Sequence, residues 1–164
     1  VIIETGVFDG LLSAIILSAL KNNNHGSLHS IDLPANSKLL EHWKDDLPPD
    51  WKTLSDPWRQ LPHGKQSGWM IPTEFRDRHE LIIGDSKVML EKICNKHKPI
   101  SLFIHDSLHT YRHMTFEFEK AIEFMNKGSF LCSDDIFWNM AFQDMLRKHK
   151  LTGLSNGEWG IARL

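Results

Sequence analysis

Carboxylates recur at the ends of short apolar runs along this 164-residue chain. Val1-Ile2-Ile3 runs into Glu4, a run at 27–31 into Asp32, and one at 80–83 into Gly84-Asp85-Ser86. Further on, a run at 100–104 leads to His105-Asp106 and one at 129–132 to Ser133-Asp134-Asp135. In open α/β sheets, ligands bind outside the carboxyl ends of the strands, so these acids are expected at one rim. Asp and Ser also cap helices, which accounts for any single one of them but poorly for the row. Asp106, Asp134 and Asp135 would crowd three carboxylates at two adjacent strand ends, and like charges raise one another's pKa. A hard divalent cation such as Mg²⁺ relieves that repulsion, with carboxylates, water and substrate as ligands. On the rival account, one of the three meets a cofactor and the others are solvated caps. His109, three residues beyond Asp106, is a candidate general base because its ordinary pKa lies near working pH. Its alternative is a structural hydrogen bond, the role assigned to His105.

The first turn reads Glu4-x-Gly6-x-x-x-Gly10. Glycine there allows a sharp turn and a close approach of backbone to ligand. The spacing differs from the G-x-G-x-x-G of dinucleotide folds, which argues against a nicotinamide oxidoreductase. The helix that follows offers amide donors to a carboxylate or phosphate. Asp32, closing the second run, matches the acid that takes the hydroxyls of a ribose. Together these point to an adenosine-containing ligand.

The elements that must position these groups alternate in type. Strands are expected at 1–3, 27–31, 80–83, 100–104 and 129–132, and helices at 11–20, 86–95, 111–126 and 139–149, with a short helical turn at 73–77. The first helix is expected to face inward with Leu12, Ile15, Ile16 and Ala19, and the third with Met114, Phe118, Ile122 and Met125. Residues 151–154 and 159–164 flank Asn156-Gly157 as a closing hairpin. Alternation of this kind implies an α/β fold: a doubly wound, mostly parallel sheet with a C-terminal antiparallel hairpin. Residues 34–72 differ, holding six of the seven prolines and the tryptophans Trp43, Trp51, Trp58 and Trp69. A short helix near 37–45 and then a long loop are expected there. That segment is either a lid or acceptor wall, or a satellite core of packed aromatics.

Composition is that of an ordinary globular domain, with 41% apolar and 24% charged residues. A net charge of -2 gives no electrostatic reason to expect nucleic acid or an anionic membrane as partner. Cys94 and Cys132 have neither disulfide nor zinc spacing and are expected as buried thiols in a reducing, cytoplasmic setting. No apolar run approaches the roughly 20 residues of a membrane span. The chain opens inside a strand, so upstream residues are expected.

The blocks Glu4-Thr5-Gly6-Val7-Phe8-Asp9-Gly10, Ser30-Ile31-Asp32-Leu33-Pro34, Leu81-Ile82-Ile83-Gly84-Asp85-Ser86, Phe103-Ile104-His105-Asp106-Ser107-Leu108-His109-Thr110-Tyr111 and Ser133-Asp134-Asp135-Ile136 resemble the class I S-adenosylmethionine-dependent methyltransferases grouped as methyltransferase family 24. That group is similar to the metal-dependent O-methyltransferases, among them catechol O-methyltransferase. The resemblance runs from Val1 to about Phe142. It implies a single domain over 1–164 with the Rossmann-like methyltransferase fold. It also implies that Glu4, Gly6 and Gly10 form the loop around the methionine end of S-adenosylmethionine. Asp32 would bind the ribose hydroxyls, and Asp85 and Ser86 would flank the adenine. Asp106, Asp134 and Asp135 match the metal-ligand positions, with Asp106 also beside the cofactor. His109 falls where catechol O-methyltransferase has a lysine. Leu12 replaces a serine usual two residues past Gly10, and Ser13, one place later, takes over as candidate contact to the methionine carboxylate. Helices that precede the first strand in relatives are missing.

The expectation is methyl transfer to the oxygen of a small hydroxylated acceptor, with Asp106 and His109 at the reacting centre and Mg²⁺ as the metal. A metal-independent methyltransferase and a non-catalytic cofactor-binding domain are the rivals. A homo-oligomer is left open.

Overall fold

The computed structural model describes residues 1–33 and 61–164. The short helix expected at 37–45, and Trp43, Trp51 and Trp58, lie outside the described residues. Seven strands form one sheet: β1 (Ile2–Thr5), β2 (Leu28–Asp32), β3 (His79–Ile83), β4 (Ile100–His105), β5 (Met125–Ser133), β6 (Thr152–Ser155) and β7 (Gly160–Arg163). Their order across the sheet is β3-β2-β1-β4-β5-β7-β6. The first five run parallel and the last two add antiparallel pairs. Helices α1 (Leu11–Asn22), α2 (Ser86–His97), α3 (Tyr111–Ile122) and α4 (Ala141–His149) follow β1, β3, β4 and β5. A 3₁₀ turn at Thr73–Arg78 leads into β3.

The chain reverses its direction of travel across the sheet at β1, which pairs with β2 on one side and β4 on the other. Such a switch point opens a crevice at the strands' carboxyl ends. The register aligns those ends: Thr5 lies beside both Ile31 and His105, and His105 beside Ser133. Groups carried just past each strand therefore meet at one rim.

The main core packs Ile3, Ile31, Phe103 and Leu131 of the central strands against Leu90, Met114, Phe118 and Phe142. Phe103, Phe118 and Phe142 are among the largest fully buried side chains, each worth about 1.5–3 kcal/mol relative to exposure. A smaller cluster joins Leu17, Leu28 and Phe75 on the α1 side of the sheet.

Three expectations are corrected here. In α1 the fully buried positions are Ser13 and Leu17, whereas Ile15 is 60% exposed and Ala19 is also exposed. The helix is rotated so that Ser13 reaches the buried Glu4, so the inward face is not the most apolar one. The third helix stops at Ile122, and Met125 instead opens β5 opposite Ile100. Cys94 is buried as expected, but Cys132 is only partly so.

Candidate active site

Gly6 leaves β1 with φ 84°, a left-handed conformation that glycine adopts without strain. A Cβ at Gly6 would fall 1.8 Å from the backbone oxygen of Asp106. The β1–α1 loop thus lies directly against the chain leaving β4, and only glycine permits that approach. Gly10 ends the loop at φ 92°, where a Cβ would fall 2.6 Å from the Ile71 side chain and 2.8 Å from Gly68 Cα. Residues 67–71 run across this loop: the Gly68 amide donates to Phe8 O at 2.8 Å and the Met70 amide to Asp9 O at 2.9 Å.

Two buried acids anchor the loop. Glu4 is fully buried, and its Oε2 accepts from Ser13 Oγ at 2.6 Å and Ser30 Oγ at 2.7 Å. Its Oε1 has no hydrogen-bond partner among the described residues. Burial raises the Glu4 pKa, against the two serine hydrogen bonds. Asp32, at the end of β2, accepts from the Val7 amide at 3.0 Å and from the Ser67 hydroxyl. Both of its oxygens are therefore engaged by the loop and the segment crossing it.

Asp85 is the N-cap of α2, its carboxylate accepting from the Lys87 amide at 2.8 Å. Ser86 is buried, with its Oγ 3.3 Å from His113 Nε2. For Asp85 the capping role holds, beside any contact with a ligand.

Backbone bonds from the Asp106 amide to Thr5 O and from the Asp134 amide to His105 O bring the β4 and β5 ends together. Burial, then the charges of Asp134, Glu4 and Asp135, push Asp106 up to about 8. Asp135 stands at φ 50°, and burial followed by the Asp134 charge raises its pKa too. His109 sits between them, Nε2 3.9 Å from Asp106 Oδ1 and Nδ1 3.7 Å from Asp135 Oδ2. Those separations are too long for direct hydrogen bonds and leave room for small movements. Asn139 Nδ2 donates to His109 O at 3.1 Å, tethering its backbone.

Sequence reasoning missed two features. Trp138 lies 5.7 Å from the His109 ring and is 45% exposed, next to Phe137 at 63% and Met140 at 49%. The signal was present in Asp-Asp-Ile-Phe-Trp, an aromatic pair directly after the acids. The second is Glu117, fully buried on α3. It accepts from Thr5 Oγ1 at 2.5 Å and Ser107 Oγ at 3.1 Å, and meets His105 Nδ1 at 2.7 Å and His113 Nε2 at 2.8 Å. Burial opposes its ionisation, but the His113 charge and the two histidine hydrogen bonds outweigh it. They hold the carboxyl well below the usual range. His105 thus makes the structural hydrogen bond expected of it.

The donor set of Asp106, Asp134 and Asp135 suits a hard cation in charge and atom type. Among the described residues, however, the group of three or more whose ligand atoms all lie within 4.8 Å of one another is His29, Glu80 and His97, at another place. Asp106 and Asp134 meet through their side chains, but the three acids do not all come within that distance of one another.

A doubly wound sheet of this strand order, with an acid-lined switch point and a glycine loop after β1, defines the class I S-adenosylmethionine-dependent methyltransferases. A methyltransferase-domain family model matches residues 3–136, and the chain belongs to that family, methyltransferase family 24. No curated protein matches in sequence. Solved structures that superpose on it include the O-methyltransferase NovP, at a TM-score of 0.72 and 12% identity over 99% of this chain and 70% of that one. The calicheamicin methyltransferase CalS11 gives 0.64 and 16% over 99% and 71%. The mycinamycin pathway methyltransferase MycE, in complex with Mg, SAH and mycinamycin VI, gives 0.63 and 11% over 99% and 44%. No helix among the described residues is long and apolar enough to cross a membrane.

Proposed function

We propose that this enzyme transfers the methyl group of S-adenosylmethionine to a hydroxyl oxygen of a small acceptor, with His109 as the base. The observation that carries this reading is the placement of His109 between Asp106 and Asp135, walled by Trp138. The methyl group is activated by its own sulfonium, so the protein must align the reactants and remove one proton. Glu4, Gly6, Gly10 and Ser13 build the loop assigned to the methionine end. Asp32 takes the ribose hydroxyls once the Ser67 hydroxyl yields its place, and Asp85 with Ser86 borders the adenine. Phe137, Trp138 and Met140 give the acceptor an apolar wall beside the acids.

Asp106, Asp134 and Asp135 are the residues that would hold Mg²⁺. When bound, such an ion makes an acceptor hydroxyl more acidic and fixes its orientation. In MycE, Mg accompanies SAH and mycinamycin VI, which supports the metal-assisted reading for this chain. The metal-independent alternative dispenses with the ion, and one assay separates the two. Methylation of a panel of catechols and hydroxylated glycosides is measured with Mg²⁺, with chelator, and in Asp134→Asn and Asp135→Asn. Metal assistance requires at least a tenfold loss in all three tests. Full activity in chelator leaves the base and aromatic wall acting alone.

A further inference from the structure

At the opposite end of β2 and β3, about 10 Å along the strands from Asp32, a second polar cluster has no part in this chemistry. His29 and Glu80 are register partners on the two strands, and His97 is the last residue of α2. One ligand atom from each of the three lies within 4.8 Å of the other two. His29 Nδ1 stands 2.9 Å from Glu80 Oε2, and His97 Nε2 stands 3.4 Å from the same oxygen. We propose that His29, Glu80 and His97 form a binding site for a borderline divalent metal of the Zn²⁺ type.

Four observations support it. Two imidazoles and a carboxylate are the donor set that such metals select over Mg²⁺ or Ca²⁺. Ligands bonded at 2.0–2.1 Å around a tetrahedral ion lie about 3.3 Å apart, and the two nitrogen–oxygen separations bracket that value. His97 Nε2 is buried and makes no well-formed hydrogen bond among the described residues, its nearest polar neighbour being Glu80 Oε2. His29 Nε2 meets Ser27 Oγ at 3.1 Å, the kind of outer contact that fixes a ligating imidazole's tautomer and orientation.

One group competes. Lys96 Nζ lies 3.3 Å from Glu80 Oε1 and 3.4 Å from Oε2. Its side chain is 58% exposed, so it can swing into solvent when a cation arrives. An ion here would clamp the end of α2 to the β2–β3 edge of the sheet.

The test is titration of tag-free protein with ZnCl₂ in excess Mg²⁺, followed by calorimetry, with Co²⁺ absorption reporting nitrogen ligation. One equivalent of zinc is expected to bind. His97→Gln and Glu80→Gln should each weaken binding at least tenfold, and both positions are partly exposed, so the variants should fold. Lys96→Ala, which removes the competing cation, should tighten it, an effect no merely structural role produces. Asp134→Asn should leave it unchanged. Absence of binding in the wild type, equal affinity in His97→Gln, or loss only in Asp134→Asn overturns the site.

Discussion

His109 is the side chain on which the proposed reaction turns. His109→Ala should lower kcat by about 10²–10⁴-fold while leaving the dissociation constant for S-adenosylhomocysteine within a factor of two, read by calorimetry. Ser67 carries a different expectation. Its hydroxyl occupies one oxygen of Asp32, the acid assigned to the ribose. Ser67→Ala should therefore tighten S-adenosylhomocysteine binding, and Asp32→Asn should weaken it at least tenfold; weaker binding in Ser67→Ala would assign that hydroxyl to the cofactor's support. The acids at the strand ends were legible because each follows an apolar run. Their partners were not. Nothing in the spacing says that Ser13 turns inward to Glu4, or that Asp32 is held by Val7 and Ser67, since such contacts join residues 9, 25 and 35 positions apart.

The elements were readable where one physical signal dominates. Short runs with apolar residues ending at an acid or Gly marked the parallel strands, and Asn156-Gly157 marked the hairpin, in which Asn156 Oδ1 accepts from the Trp159 amide at 2.8 Å. The reading slipped where polarity and burial part company. Ser13, His113 and Glu117 are all buried on helices, so counting apolar positions misplaced the inner face of α1 and hid the α3 network. The join of α3 to β5 was missed because apolar residues continue across it. The tightest element-level constraint is Gly6, where both φ and the Asp106 carbonyl forbid a side chain. Gly6→Ala should cost about 3 kcal/mol or more, measured as a fall in chemical-denaturation midpoint, whereas Gly157→Ala meets no neighbour within 4 Å and bears only the φ 102° strain.

At the scale of the molecule, Glu117 joins β1, β4 and α3 through Thr5, His105 and His113. Its folded-state pKa lies below the ordinary 4.5, so the folded protein binds fewer protons than the unfolded chain near that pH. The stabilisation is present above about pH 4.5 and is lost as pH falls below it. Glu117→Gln should cost about 3–5 kcal/mol at neutral pH and flatten the dependence of unfolding free energy on pH between about 5 and 3. A slope identical to that of the wild type would remove Glu117 from the origin of acid lability. The same network shows what kind of sequence change this domain can absorb. His105 and Asp106 are consecutive, one buried against Glu117 and the other at the rim. An amino acid inserted into β4 ahead of them would swap their sides, driving the carboxylate toward Glu117 and the imidazole into the cleft. Additions and deletions in such a protein are therefore confined to connections outside the paired strands.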